Sequence, residues 1–284
     1  MWLDKIINWF KALWKWVNGL FKPGGKGSQE DKPLCPGIED SGEIIQTQCF
    51  LGIMGFPIGS GGPNQDGVDG IMGAITEAAV KLFQLMVKLK PEGTLNRETL
   101  SKLRDAYQRG MDFRKLTFLA YQEGIRPDFN NFNEQGTFIN TVYFYAIIEE
   151  QDLKIPAAAT TAQAALETGY GSLVPTDEDT GQYSYNLFGI KGVGPAGSVV
   201  TITHEEDPQS GRLVPIKQRF RAYYSFDESI RDHSLFFHNN QRYRKALETN
   251  TVGDFIQKIA EAGYATDSNY AAKLMAIIRY WNLK

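Results

Sequence analysis

The sequence predicts a mainly helical protein of the α+β kind, with one small β-hairpin. Three observations carry this reading. Apolar residues recur at helical spacing through 76–88 (Ala79, Val80, Phe83, Met86) and through 137–151 (Phe138, Val142, Tyr145, Ile148). An alanine-rich run over 157–167 is opened by Pro156 and closed by Gly169, the start and stop residues that helices favour. One stretch alternates as strands do: Val199–Thr203, a polar turn at Asp207–Gly211, and a return over Leu213–Phe220. A length of 284 residues suits about two domains.

Composition narrows the function classes. With 42% hydrophobic and 22% charged residues and a net charge of −3, the chain is an ordinary globular one without a basic field for nucleic acid. Cys35 and Cys49 are too few for a disulfide scaffold or a four-thiolate zinc site, and three histidines leave little for metal chemistry. No cofactor or metal is expected. No apolar run reaches the length of a membrane span.

Residues 1–22 form three heptads in which Trp2, Trp9 and Trp16 recur, bordered by Lys5, Lys11, Lys15 and Lys22. As a helix this places the apolar residues on an arc of about 140°. Four of the five tryptophans lie on it. Such a face suits the surface of a membrane, while self-association or packing within the protein is the alternative. Lys11 and Lys15 interrupt every apolar core that a cleaved signal peptide would need. Residues 23–37, with Pro23-Gly24-Gly25, read as a linker.

Residues 38–105 carry Gln46-x-x-x-x-Leu51-Gly52, Gly55-Phe56, Asp69-Gly70-Ile71-Met72-Gly73-x-x-Thr76 and Ala79-Val80-x-x-Phe83-Gln84. Asp69-Gly70 suits a tight turn, and Thr76 is expected to cap the helix that follows. These motifs resemble the three-helix peptidoglycan-binding domain of cell-wall hydrolases, with a longer loop at 57–68. The resemblance implies a targeting module that holds the enzyme near its polymer. Residues 106–135 read as a connector, helical near Phe113–Tyr121.

Chemistry is expected in 136–284. Glu167 ends the alanine-rich helix and precedes Thr168-Gly169-Tyr170-Gly171. Burial and the negative helix end both disfavour its anion, so it suits a general acid. Asn186 and Gly189 offer an amide and a close approach for an N-acetyl sugar, and Tyr223, Tyr264 and Tyr270 offer faces for pyranose rings or for the core. Glu205 and Glu206 stand near the hairpin tip on opposite strand faces.

Five ordered blocks carry a resemblance to lysozyme-like glycosidases of glycoside hydrolase family 73, the bacterial endo-β-N-acetylglucosaminidases of flagellar muramidase and autolysin type. They are Leu166–Gly171, Tyr185–Gly192, Thr203–Glu205, Phe220–Ser229 and Gly263–Ala271. Thr168 and Tyr170 depart from the commoner Ser and Trp. The resemblance implies a lysozyme-like catalytic domain with a β-hairpin lobe. It assigns Glu167, Glu205 and Tyr264 to catalysis, with Glu206 as the alternative second carboxylate. Tyr170, Asn186, Phe188, Gly189 and Lys191 fall to substrate binding, as do Tyr223, Thr266, Asp267 and Tyr270.

Other chemistries fail on the residues. After His204-Glu205 the second histidine of a zinc-protease helix would fall on Pro208. Gly192-x-Gly194-x-x-Gly197 precedes a strand, not a helix. No serine elbow is present, and both cysteines precede residue 50. The expectation is hydrolysis of the N-acetylglucosaminyl β-1,4 bond of peptidoglycan at the bacterial cell wall, with release by lysis or a holin. A muramidase or lytic transglycosylase cutting the other β-1,4 bond is the enzymatic alternative. An inactive wall-anchoring module is the other.

Overall fold

The computed structural model describes residues 42–128, 134–206 and 213–284. The expected amphipathic helix over 1–22 and the linker lie outside them. Ten α-helices and one two-stranded antiparallel sheet are found among the described residues. The fold is mainly α with one small β-hairpin, as the sequence predicts.

The first module holds α1 (Glu43–Met54), α2 (Ala74–Met86) and α3 (Arg97–Gln108). Asn96 caps α3 by accepting the Thr99 N–H at 2.8 Å. Thr76 does not cap α2: Gly73 occupies that place. Thr76 instead lies buried in the first turn, where its hydroxyl accepts from the Gln48 amide at 3.1 Å. Tertiary demand for a partner to buried Gln48 overrides the local capping preference.

The expected connector is more than a tether. Residues 113–122 form α4 (Phe113–Gln122), capped by Asp112, which accepts the Lys115 N–H at 2.9 Å. The Phe113 ring meets Phe56 edge-on at 4.7 Å and stacks on Tyr143 at 5.2 Å. Tyr143 belongs to α5 (Gln135–Leu153), whose residues are buried nearly all round. One hydrophobic core therefore runs from Phe50 through Phe113 to Leu283. At the junction a Cβ on Gly136 would stand 3.1 Å from the Ile75 Cα, so the two backbones touch there.

Next comes α6 (Ala157–Thr168), buried from Ala157 to Ala165 between α5 and the later helices. Alanines let neighbouring helices approach closely on every side, which explains the composition of this run. The hairpin follows, β1 (Ser198–Glu206) and β2 (Leu213–Arg221), in register from Ser198 opposite Arg221 to Glu206 opposite Leu213. Its base is pinned by Asp177, whose carboxylate accepts the Val200 N–H at 2.8 Å. The chain ends in α7 (Phe226–Asn239), a 3-10 turn at Gln241–Tyr243, α8 (Arg244–Leu247), α9 (Val252–Glu261) and α10 (Tyr270–Trp281).

Candidate active site

Glu167 occupies the last turn of α6, which Gly169 ends in the left-handed conformation at φ 54°. The side chain keeps an open face to water, yet protein crowds it from behind. That crowding strips hydration from the anion and pushes its carboxyl above the ordinary 4.5. Burial alone causes the shift. Among the described residues no hydrogen bond or ion pair engages this carboxyl.

Two tyrosines feel its charge. Tyr264 follows Gly263, whose φ of 73° turns the chain out of α9 while the Tyr264 N–H bonds back to the Ile259 carbonyl at 3.0 Å. Tyr270 opens α10, and the two rings stack at 5.6 Å. Burial raises both phenols above their ordinary value, and the Glu167 charge adds to the rise in each. The Glu167 charge thus reaches both phenols; Tyr264 is half-buried and Tyr270 is buried.

Behind the tyrosines lie two residues that sequence reasoning did not single out. Gln163, one turn before Glu167 on α6, donates from Nε2 to the Tyr270 hydroxyl at 2.9 Å. His233 of α7 places Nε2 3.1 Å from the Tyr264 hydroxyl and stacks on Phe188 at 3.7 Å. Full burial pushes the His233 pKa down to about 3, so its ring is neutral. The spacing offered a signal for Gln163, since positions four apart share a helix face. For His233 the signal was weaker, an imidazole within the apolar stripe of Ile230 and Phe237.

Several expected sugar contacts are placed in the core. The Asn186 side chain is fully buried; its amide donates to the Ile190 and Arg221 carbonyls at 2.9 and 3.0 Å. Its oxygen accepts the Phe188 and Ile190 N–H groups. Both ends of the amide are therefore spent on shaping the 186–190 loop, and none is left for an N-acetyl group. Phe188 is buried with one ring face against His233. Tyr223 is buried and donates to Asp232 at 2.7 Å, so it anchors the base of β2 rather than a sugar. Asp267 accepts from Asn269 N–H and Lys273 at the start of α10, and those partners hold its carboxyl below the ordinary range.

The remainder are better exposed. Tyr170 is half-buried at φ 58°, with its hydroxyl 3.4 Å from the Trp281 indole N–H. Gly189, Lys191 and Thr266 face solvent. Glu205 and Glu206 lie in the outer half of β1, their backbones paired with Val214 and Leu213.

Residues 144–283 match the family model Glucosaminidase, described as mannosyl-glycoprotein endo-beta-N-acetylglucosaminidase. Residues 41–103 match a putative peptidoglycan binding domain. The peptidoglycan hydrolase FlgJ of Pseudomonas aeruginosa is 36% identical over 153 residues, 52% of this chain and 37% of that protein. The exo-glucosaminidase LytG of Bacillus subtilis is 30% identical over 172 residues, 59% of this chain and 58% of that protein. The chain thus spans less than two thirds of either relative. The glycoside hydrolase domain of Salmonella typhimurium FlgJ, a solved structure, is 31% identical with a TM-score of 0.44, covering 51% of this chain and 96% of that one. Residues 144–283 thus carry the glucosaminidase family match, preceded by a segment that matches a domain of the peptidoglycan-binding type.

Proposed function

We propose that the protein is a cell-wall hydrolase cleaving β-1,4 bonds of peptidoglycan on the N-acetylglucosaminyl side. The observation that carries this reading is Glu167. It is an unpaired carboxyl with a raised pKa in an open site, inside a segment of the glucosaminidase family. Such a carboxyl holds its proton to higher pH than an ordinary glutamate and can give it to the glycosidic oxygen as the bond breaks. Tyr264 and Tyr270, held neutral by burial, offer hydroxyls beside it without competing as bases.

The second group is Glu205 in this proposal, with Glu206 as the alternative. It either activates the attacking water or supports attack by the acetamido group of the substrate. Single Glu205→Gln and Glu206→Gln variants separate the two, because adjacent strand residues point to opposite faces. Loss of activity in one variant only is expected. Equal loss in both contradicts a single second carboxylate.

Mass spectrometry of digests of purified sacculi tests the bond cut. Reducing N-acetylglucosamine ends are expected. Anhydro or reducing N-acetylmuramic acid ends would instead establish a lytic transglycosylase or a muramidase. Residues 1–22 would add contact with anionic membrane surfaces, supported by the tryptophans and lysines of their heptads. Deleting 1–22 should then remove binding to anionic vesicles and leave hydrolysis of sacculi intact.

A further inference from the structure

The first module carries a groove of about 520 Å3 between the start of α1 and one face of α3. Arg97, Ser101 and Arg104 share that face, while Thr99, Leu103 and Ala106 are buried on the opposite one. Glu43 of α1 completes the polar lining, and half-buried Leu95 and Leu100 add apolar surface. None of the residues lining the groove is aromatic.

The other arginines of residues 42–128 are engaged. Arg109 pairs with Asp105, Arg114 pairs with Glu150, and Arg126 lies over the Tyr121 ring. Arg97 and Arg104 are exposed, and neither has an acidic partner among the described residues. Exposed Glu43 likewise has no basic partner there. Two unmatched cations and one unmatched anion therefore line a single groove. Seven positions separate the arginines, about 10 Å along the helix axis.

On the reading of this chain as a peptidoglycan hydrolase, we propose that the groove is a subsite for the stem peptide of peptidoglycan, with Arg97 and Arg104 on two of its carboxylates and Glu43 on its free amine. The charges of the wall polymer lie on its peptides, since the glycan is uncharged wherever a peptide is attached. Carboxylates two to three residues apart on an extended peptide stand about 7–10 Å from one another, which matches the arginine spacing. Guanidinium groups suit carboxylates because their paired N–H donors fit the two oxygens. A glycan strand would gain little here, without flat rings to pack on its sugars. A polyanion without an amine would be repelled by Glu43. The first module thus reads the peptide and leaves the sugars to the catalytic half.

Nitrogen-15 NMR of the arginine-labelled full-length protein tests this with the free stem pentapeptide as probe. The Arg97 and Arg104 side-chain signals, identified by their loss in Arg97→Gln and Arg104→Gln, are expected to shift as peptide is added. The double variant should bind the peptide about tenfold more weakly, as for the loss of two exposed ion pairs. Added salt should weaken the wild type more than the double variant. Acetylating the peptide's amine should weaken binding to the wild type and leave binding to Glu43→Gln unchanged. Unshifted arginine signals overturn the proposal. So does inorganic phosphate shifting them as strongly as the peptide at equal concentration, which would mark an unspecific anion site. Retention on sacculi gives a second readout. The double variant should be retained less than wild type on intact sacculi, and equally on glycan stripped of its peptides by an amidase. A deficit of the same size on stripped glycan would identify a sugar site and refute the peptide role. Failure of the underlying reading looks different: the wild type would release no glycan fragments from sacculi, whatever the arginine signals do.

Discussion

Buried glutamines in the two parts of the molecule are treated in opposite ways. In the first module Gln48 is 1% exposed and every polar atom of its amide is used. Nε2 donates to Asp69, Ile71 and Thr76, and Oε1 accepts the Asp69 and Gly70 N–H groups. Gln84 does the same for residues 93–99, serving Gly93, Thr94 and Thr99. In the second part Gln163 is equally buried and leaves its oxygen without a partner. The first two build loops. Gln163 instead spends its amide on the Tyr270 hydroxyl of another helix and shapes no loop.

That contrast can be broken at several strengths. The largest expected effect comes from removing residues 42–128. Phe113 is stacked on Tyr143, Phe56 touches Phe113, and α2 lies against α5 at Gly136. The remaining helices would expose Phe138, Tyr143 and Phe144, all now buried. The truncated protein is expected to lose its cooperative thermal transition, which calorimetry would show. A truncated protein that melts cooperatively and cuts soluble glycan normally would return the first module to the role of a separable tether.

Next is Gln48→Ala, which strands the Asp69 and Gly70 N–H groups. Leaving a fully buried donor unmatched costs about 1–3 kcal/mol; these two are partly buried, so chemical denaturation should show a loss toward the lower end of that range. No loss would mean water replaces the amide and the loop is not built by it.

Glu167→Gln should move stability the other way. The native carboxyl has a raised pKa, so the native state holds that proton more tightly than the unfolded chain. Its contribution is favourable in acid and is lost as pH rises through the folded value. Glutamine has no charge to desolvate. The variant should therefore melt at or above the wild-type temperature at pH 7, with the gain vanishing below about pH 4.5, the ordinary value. A variant less stable than wild type at pH 7 would show that Glu167 has structural partners.

The smallest effect concerns the hairpin. Backbone N–H groups of Val200 and Thr180 and the Thr180 hydroxyl hold the Asp177 carboxyl at about 2, against an ordinary 3.8. Its support for β1 is complete above the ordinary value and fades as pH falls toward 2. The protection of the Val200 amide, its exchange rate relative to the intrinsic rate at the same pH, should fall over that window, and in Asp177→Ala it should already be low at neutral pH.

Much of the fold was legible because its signals are local. Pro156, the alanine run and Gly169 bound α6 to within a residue, and the alternation of Val199–Thr203 located the hairpin. Burial on several sides was harder to read. Residues of α5 are covered by both parts of the molecule, so no one-sided stripe announced that Phe113 and α4 join a shared core. The site was legible where a residue's chemistry and its position in an element agree, as with Glu167 at the end of α6. Asn186 and Tyr223 have the right chemistry for a sugar, but their hydrogen bonds close on the protein itself. Only three-dimensional partners decide that, and the same holds for His233.

Hydrolysis of purified sacculi by Glu167→Gln, followed from acid to neutral pH beside the wild type, tests whether Glu167 is the acid. General acid catalysis contributes roughly 10²–10⁴-fold. A loss of that size is expected in a folded variant that still binds glycan, with a wild-type rate that declines only above the ordinary glutamate pKa. Wild-type turnover in the Glu167→Gln protein would contradict it.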